Sequence, residues 1–176
     1  MATPKLIILN GPLGIGKSTL AQLYVDEHPL ALKLDIDELC AQIGQWRDQA
    51  PESRRLSKDL AEIMTKTYLN SGHDVVIPQI FRQTKWLEAL EKVASDTGAE
   101  FYEILLDVER DEAIRRFEVR GGVRSGGLID RGGGIVKVEA MYDEMAETAR
   151  ARPSTKCLIP QFGDIDATYK ALMNLL

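Results

Sequence analysis

The strongest constraint on the fold is the run Ile7-Ile8-Leu9-Asn10-Gly11-Pro12-Leu13-Gly14-Ile15-Gly16-Lys17-Ser18-Thr19. It fits the pattern G-x-x-x-x-G-K-[ST], with Gly11, Gly16, Lys17 and Ser18 in the fixed places. Leu6 to Leu9 lead in like a buried parallel strand. Ser18 to Glu27 lead out as a helix, with Leu20, Leu23 and Tyr24 on one face. Glycines between a strand and a helix let backbone N–H groups converge on phosphate oxygens, and the helix N-terminus adds partial positive charge.

The residues expected to cradle a nucleoside triphosphate are therefore Gly11, Leu13, Gly14, Ile15, Gly16, Lys17, Ser18 and Thr19. Lys17 is expected to reach the β- and γ-phosphates, and the Ser18 hydroxyl to hold Mg²⁺.

The rest of the chain alternates short apolar runs with helical patterns. Leu30 to Ile36 reads as a second strand, followed by a polar stretch from Gly44 to Pro51. Ser53 to Leu69 is helical, with a stop at Asn70-Ser71-Gly72. Val75 to Pro78 is the third strand, and a helix around Trp86, Leu87, Leu90 and Val93 ends near Gly98. Phe101 to Leu106 is a strand and Asp111 to Arg120 a helix. A helix carrying Val138, Met141 and Met145, a strand Lys156 to Ile159 and a helix Asp164 to Leu176 complete the series. Such alternation predicts an α/β fold with a parallel sheet and helices on both faces. The whole chain, 1–176, is expected to form one domain. Between the Asp111 to Arg120 helix and the one carrying Val138, Gly121 to Gly134 holds seven glycines with Arg124 and Arg131, and it reads as a mobile flap.

Asp35 and Asp37 follow the second strand. At the end of an extended strand, residues two apart point the same way, so both carboxylates are expected in one cleft. Transfer of a phosphoryl group to a hydroxyl needs one carboxylate to accept the proton and others to support Mg²⁺. A competing reading has Asp37 capping the next helix, ahead of Glu38 and Leu39. Gln79 and Arg82 belong beside the same cleft as acceptor-binding groups, with a polar loop residue the plainer reading of Gln79. Arg116 and Arg120 are four apart on one helix face, and Arg120 runs straight into the flap. Arg116, Arg120, Arg124 and Arg131 are expected to stabilise charge on the transferring group by bidentate contacts. Trp46 could stack on an acceptor or pack between helices, whereas Trp86 reads as packing.

The net charge of −5 argues against a nucleic-acid surface. No apolar run approaches the length of a membrane span. Cys40 and Cys157 lack metal-type spacing and suit a reducing compartment, so a cytoplasmic protein is expected. Nothing in the sequence addresses its oligomeric state.

The phosphate-loop pattern, the D-x-D after the second strand and the arginine-flanked flap resemble the small P-loop kinases, such as gluconate kinase, chloramphenicol phosphotransferase and the zeta-toxin kinases. That resemblance implies a three-layer P-loop NTPase fold, a five-stranded sheet of order 2-3-1-4-5 and a Gly/Arg-rich lid over about 120–134. It also implies ATP and Mg²⁺ as cofactors, and an acceptor cleft between the glycine loop and the Asp35/Asp37 segment, with Asp37 best matching the base. Nucleoside monophosphate kinases carry a carboxylate-bearing segment where this chain reads Ile77-Pro78-Gln79-Ile80-Phe81-Arg82, so the pattern departs from theirs. The expected activity is transfer of the ATP γ-phosphate to a small-molecule hydroxyl, on a sugar, another metabolite or an antibiotic. A nucleotide-dependent regulatory module and a polynucleotide 5′-hydroxyl kinase are the alternatives.

Overall fold

Along β1 (Lys5–Asn10), Leu6 and Ile8 face one side and Ile7 and Leu9 the other, and all four are fully buried. Burial on both faces is the mark of a central strand in a parallel sheet. The computed structural model describes residues 3–119 and 134–176. In it, β1 pairs in parallel with β3 (Val75–Pro78) and with β4 (Glu100–Leu106). The short β2 (Leu32–Lys33) and β5 (Lys156–Leu158) extend the sheet at its edges, giving the order β2-β3-β1-β4-β5. That is the order the family resemblance implies.

Leu6, Ile8, Val75 and Ile77 pack with Ala61 and Leu69 of α3 (Ala50–Asn70) and Leu87 and Leu90 of α4 (Thr84–Thr97). On the opposite face, Ile7, Leu9, Val76 and Ile104 pack with Leu20 and Tyr24 of α1 (Lys17–Glu27). Tyr169 and Leu172 of α7 (Ile165–Met173) complete that second layer. Gly98 closes α4 in the left-handed conformation, at φ 69°, as its position after the last apolar residue predicts.

Three elements differ from expectation. The second strand is much shorter than 30–36, although the Leu34 N–H still bonds the Val76 carbonyl at 2.9 Å. It ends because a helix, α2 (Ile36–Ala41), starts here as the competing reading had it, with Asp35 rather than Asp37 as its cap. The signal was present: Asp35 followed three residues later by Glu38 is a capping pattern. Helix α3 begins at Ala50, ahead of Ser53, because Pro51 is compatible with a first helical turn. Helices α5 (Arg110–Val119) and α6 (Gly134–Arg150) flank the expected flap. Arg120, Arg124, Arg131 and nearly all of the 120–134 segment lie outside the described residues.

A buried ionic network ties the chain after α6 to the sheet. The Arg152 Nε donates to Glu103 of β4 at 2.5 Å, and its NH2 group to Glu91 of α4 at 2.7 Å. The other Glu103 oxygen accepts from the Thr155 hydroxyl at 2.8 Å.

Candidate active site

At the carboxyl end of β1, Gly11, Gly14 and Gly16 adopt φ of 152°, 75° and 106°. At Gly11 space also matters, since a Cβ there would lie 3.1 Å from Leu106. Gly16 caps α1 without any side-chain hydrogen bond, so the first helical amides keep their donors directed at the loop. The Lys17 side chain is buried, and its ammonium donates to the carbonyls of Gly11 at 2.7 Å and Pro12 at 2.8 Å. Leu13, Gly14, Gly16, Ser18 and Thr19 line the adjoining cleft, whereas the Ile15 side chain packs into the core and offers only its backbone.

Asn10 builds the floor behind this loop. Completely buried, it accepts at Oδ1 from the N–H of Gly11 at 2.8 Å. The sequence reading gave it no role.

The cleft holds about 540 Å³ and is shared by the glycine loop, Asp35, Asp37, Gln79 and Arg82. The two aspartates do meet there, but not as neighbours on a strand. Asp35, rather than Asp37, is the helix cap: its Oδ1 accepts from the N–H groups of Asp37 at 3.0 Å and Glu38 at 3.3 Å. Asp37 sits in the first turn of α2 and is not occupied by capping. It keeps a solvent-accessible face, yet the crowding of the cleft walls raises its carboxyl pKa above the ordinary range. The like charge of Asp35 raises it further. Opposing this, Gln79 donates a long 3.5 Å hydrogen bond to Oδ1, and Lys17 and Arg54 favour the anion.

Sequence reasoning overlooked part of the cleft wall. Arg54, Ser57 and Lys58 come from α3, and Met141 and Glu144 from α6. Arg82 pairs with Glu144 at 3.1 Å, a contact between the loop after β3 and the α6 surface. Trp46 takes the packing reading of its two, and Trp86, read as packing, also reaches the cleft. Trp46 is buried away from the cleft lining, with Arg47 4.4 Å above its ring. Trp86 lines the cleft, stacks on Phe81 at 4.8 Å and carries Lys58 4.9 Å above its ring.

Arg116 also departs from expectation. It bonds Glu112 at 2.7 Å and lies 3.3 Å from the centroid of Phe162, in the loop after β5, and it does not line the cleft. Among the described residues, no cluster of three His, Cys, Asp or Glu side chains could cage a metal ion. No described helix is long and apolar enough to cross a membrane.

A parallel sheet of this order, with a glycine-rich phosphate loop leaving its central strand, defines a P-loop NTPase-type protein with the fold of small P-loop kinases. Residues 6–127 match the AAA_33 family of AAA domains, and the chain belongs to that family. No curated protein matches the sequence. Among solved structures, the chain is similar to one in the Pnkp1/Rnl/Hen1 RNA repair complex, at TM-score 0.69 and 17% identity over 88% of this chain. It spans about half, 48%, of the length of that protein. It is similar to a gluconokinase from Sinorhizobium meliloti 1021, at TM-score 0.63 and 16% identity, over 99% of this chain and 93% of that one. It is also similar to the Mycobacterium tuberculosis APS kinase CysC, solved with AMPPNP and APS, at TM-score 0.58 and 21% identity, over 99% and 98% of the two chains.

Proposed function

We propose that the protein, read as one kinase-like domain over 1–176, transfers the γ-phosphoryl group of ATP to a hydroxyl of a small molecule. The observation that carries this reading is Asp37, a carboxylate left free of the capping role and lining the cleft that Lys17 and Ser18 border. The acceptor oxygen attacks the γ-phosphorus, a new O–P bond forms, and the bond from that phosphorus to the β,γ-bridging oxygen breaks. ADP leaves, and the acceptor proton passes to Asp37.

The residues present fit magnesium. Ser18 and Asp35 line one cleft, and Asp35 keeps a second oxygen beyond the one it uses as a cap. Two protein oxygens with no caging cluster suit a hard cation held largely by phosphates and water. When bound, the ion would neutralise charge on the phosphates. Lys17 and the amides from Gly14 to Thr19 bind and orient the triphosphate. Gln79 holds Asp37, and Arg82 borders the acceptor. Arg120, Arg124 and Arg131 are proposed to meet the transferring group from the lid. Arg116, stacked on Phe162, is proposed to border the nucleotide instead. A cytoplasmic setting suits ATP as donor.

ADP release from Mg-ATP, with and without a panel of hydroxylated metabolites and antibiotics, tests the reading. Acceptor-stimulated release that disappears in Lys17→Ala supports it. Slow release unchanged by every acceptor would favour a nucleotide-dependent regulatory module. The likeness to a protein of an RNA repair complex gives a second reading, phosphorylation of a polynucleotide 5′-hydroxyl, which a 5′-hydroxyl oligonucleotide in the same panel tests.

A further inference from the structure

Phosphoryl transfer accounts for Asp37 and the glycine loop, but not for the cations on α3. Arg54 and Lys58 are one helical turn apart, on one face of α3, and both line the cleft. Their neighbour Arg55 lies outside the lining residues and is fully matched, at 2.6 Å from Glu52 and 2.5 Å from Asp59. Among the described residues, neither Arg54 nor Lys58 forms a salt bridge. The helix thus gives carboxylate partners to a cation outside the cleft lining and none at salt-bridge distance to the two that line it, of which Lys58 rests over the Trp86 ring. Arg82, a third cation of the same lining, is drawn to Glu144.

We propose that Arg54 and Lys58 form an anion seat in the acceptor half of the cleft, so that the acceptor is a small hydroxylated molecule bearing a phosphate, sulfate or carboxylate group. This rests on the kinase reading above. With the anion on α3, the molecule's hydroxyl is left to face Asp37, whose charge Arg54 already feels. Burial, then repulsion from the nearby charges of Arg82 and Arg54, holds the Lys58 ammonium below its ordinary pKa, with the Glu62 carboxylate opposing. An anion placed among the three relieves that repulsion. A neutral sugar or alcohol gains nothing from it. The cleft is bounded, and the chain carries a net charge of −5, which favours a small anion over a polyanion.

Two measurements test this. In the first, inorganic phosphate and sulfate are titrated into the whole protein with its phosphate loop filled by Mg-ADP, in a Trp46→Phe background. Trp86 then reports alone, with Lys58 above its ring. The seat predicts a saturable fluorescence change that chloride at equal ionic strength does not give. The change weakens by at least about tenfold in Arg54→Gln/Lys58→Gln and persists in Arg55→Gln. Calorimetric titration of the unsubstituted protein with the same anions makes the comparison without altering Trp46. No saturable binding, or equal binding in the double variant, overturns the seat. In the second, hydroxylated compounds are offered as matched pairs with and without the anionic group. The anionic members should be phosphorylated, and the double variant should raise their KM by at least about tenfold with the KM for ATP unchanged. Equal turnover of the neutral members overturns the proposal, as does transfer to 5′-hydroxyl oligonucleotides alone. Anion binding that depends on Arg54 and Lys58, with no acceptor stimulating ADP release, would overturn the kinase reading while leaving the seat standing.

Discussion

Asn10 and Phe81, 71 residues apart, are joined through one side-chain amide: the Asn10 Oδ1 accepts from the Phe81 N–H at 3.0 Å. The same oxygen holds the Gly11 N–H, and Nδ2 reaches the Phe81 carbonyl at 3.5 Å. One buried residue therefore sets the spacing between the phosphate loop and the β3 loop that carries Gln79 and Arg82. Asn10→Ala leaves two buried N–H groups without their acceptor. It should cost about 1–3 kcal/mol in denaturant unfolding and raise the KM for both ATP and acceptor.

Asp37→Asn should lower the transfer rate by at least about a hundredfold in single-turnover assays, with nucleotide affinity retained. In the native protein, activity should rise with pH through a carboxylate pKa above the usual range, because the base must be ionised. Stability runs the other way. A carboxylate whose folded pKa is raised binds its proton more tightly in the native state than in the unfolded one. The ionised group therefore subtracts stability as pH rises from the ordinary carboxylate value through the raised one. Thermal melts should show Asp37→Asn more stable than the native chain at neutral pH, with the gain vanishing in acid.

The core of this fold and its phosphate loop were legible from local pattern alone. A strand buried on both faces, three glycines at fixed spacing and a following helix are all contiguous. Much of the cleft wall was not, because it is assembled by packing. Arg54 and Lys58 look like an ordinary solvated helix face, and only the docking of α3 beside the β3 loop turns that face into a cleft lining. Trp86 adjoins Leu87, a fully buried core residue, and nothing local says that the next position opens on the cleft. The aspartates were legible as cleft residues, but their geometry was not, since Asp35 ends the strand by starting a helix.

Asp35 separates two effects by choice of substitution. Asparagine caps a helix about as well as aspartate, so Asp35→Asn should leave the melting temperature nearly unchanged while weakening the magnesium dependence of transfer. Asp35→Ala should add a loss of about 0.5–2 kcal/mol in chemical denaturation.

Removing Glu144 should free Arg82 for an anionic acceptor. The pair is exposed, so Glu144→Gln should change stability by less than about 1 kcal/mol. The acceptor KM should fall by up to about tenfold, read in steady-state kinetics at low ionic strength.

Glu103→Ala strips one of two carboxylates from an Arg152 that is only 9% exposed, leaving Glu91, and should cost about 1–3 kcal/mol by equilibrium denaturation. The same truncation at the solvent-facing Arg55 should cost about 0–1 kcal/mol.

The contrast between the buried Arg152 contact and the exposed Arg82–Glu144 pair also says what holds α6. Just past its last turn the chain is pinned in the interior by Arg152, while two turns earlier Glu144 is held only by a solvated ion pair. Arg110 of α5 pairs with Glu139 at 3.3 Å and Asp143 at 3.4 Å, and the Tyr142 hydroxyl donates to the Val108 carbonyl at 2.7 Å. Breaking the Arg82–Glu144 pair therefore leaves α6 held at these other places, so Glu144→Gln changes what Arg82 can bind without releasing the helix.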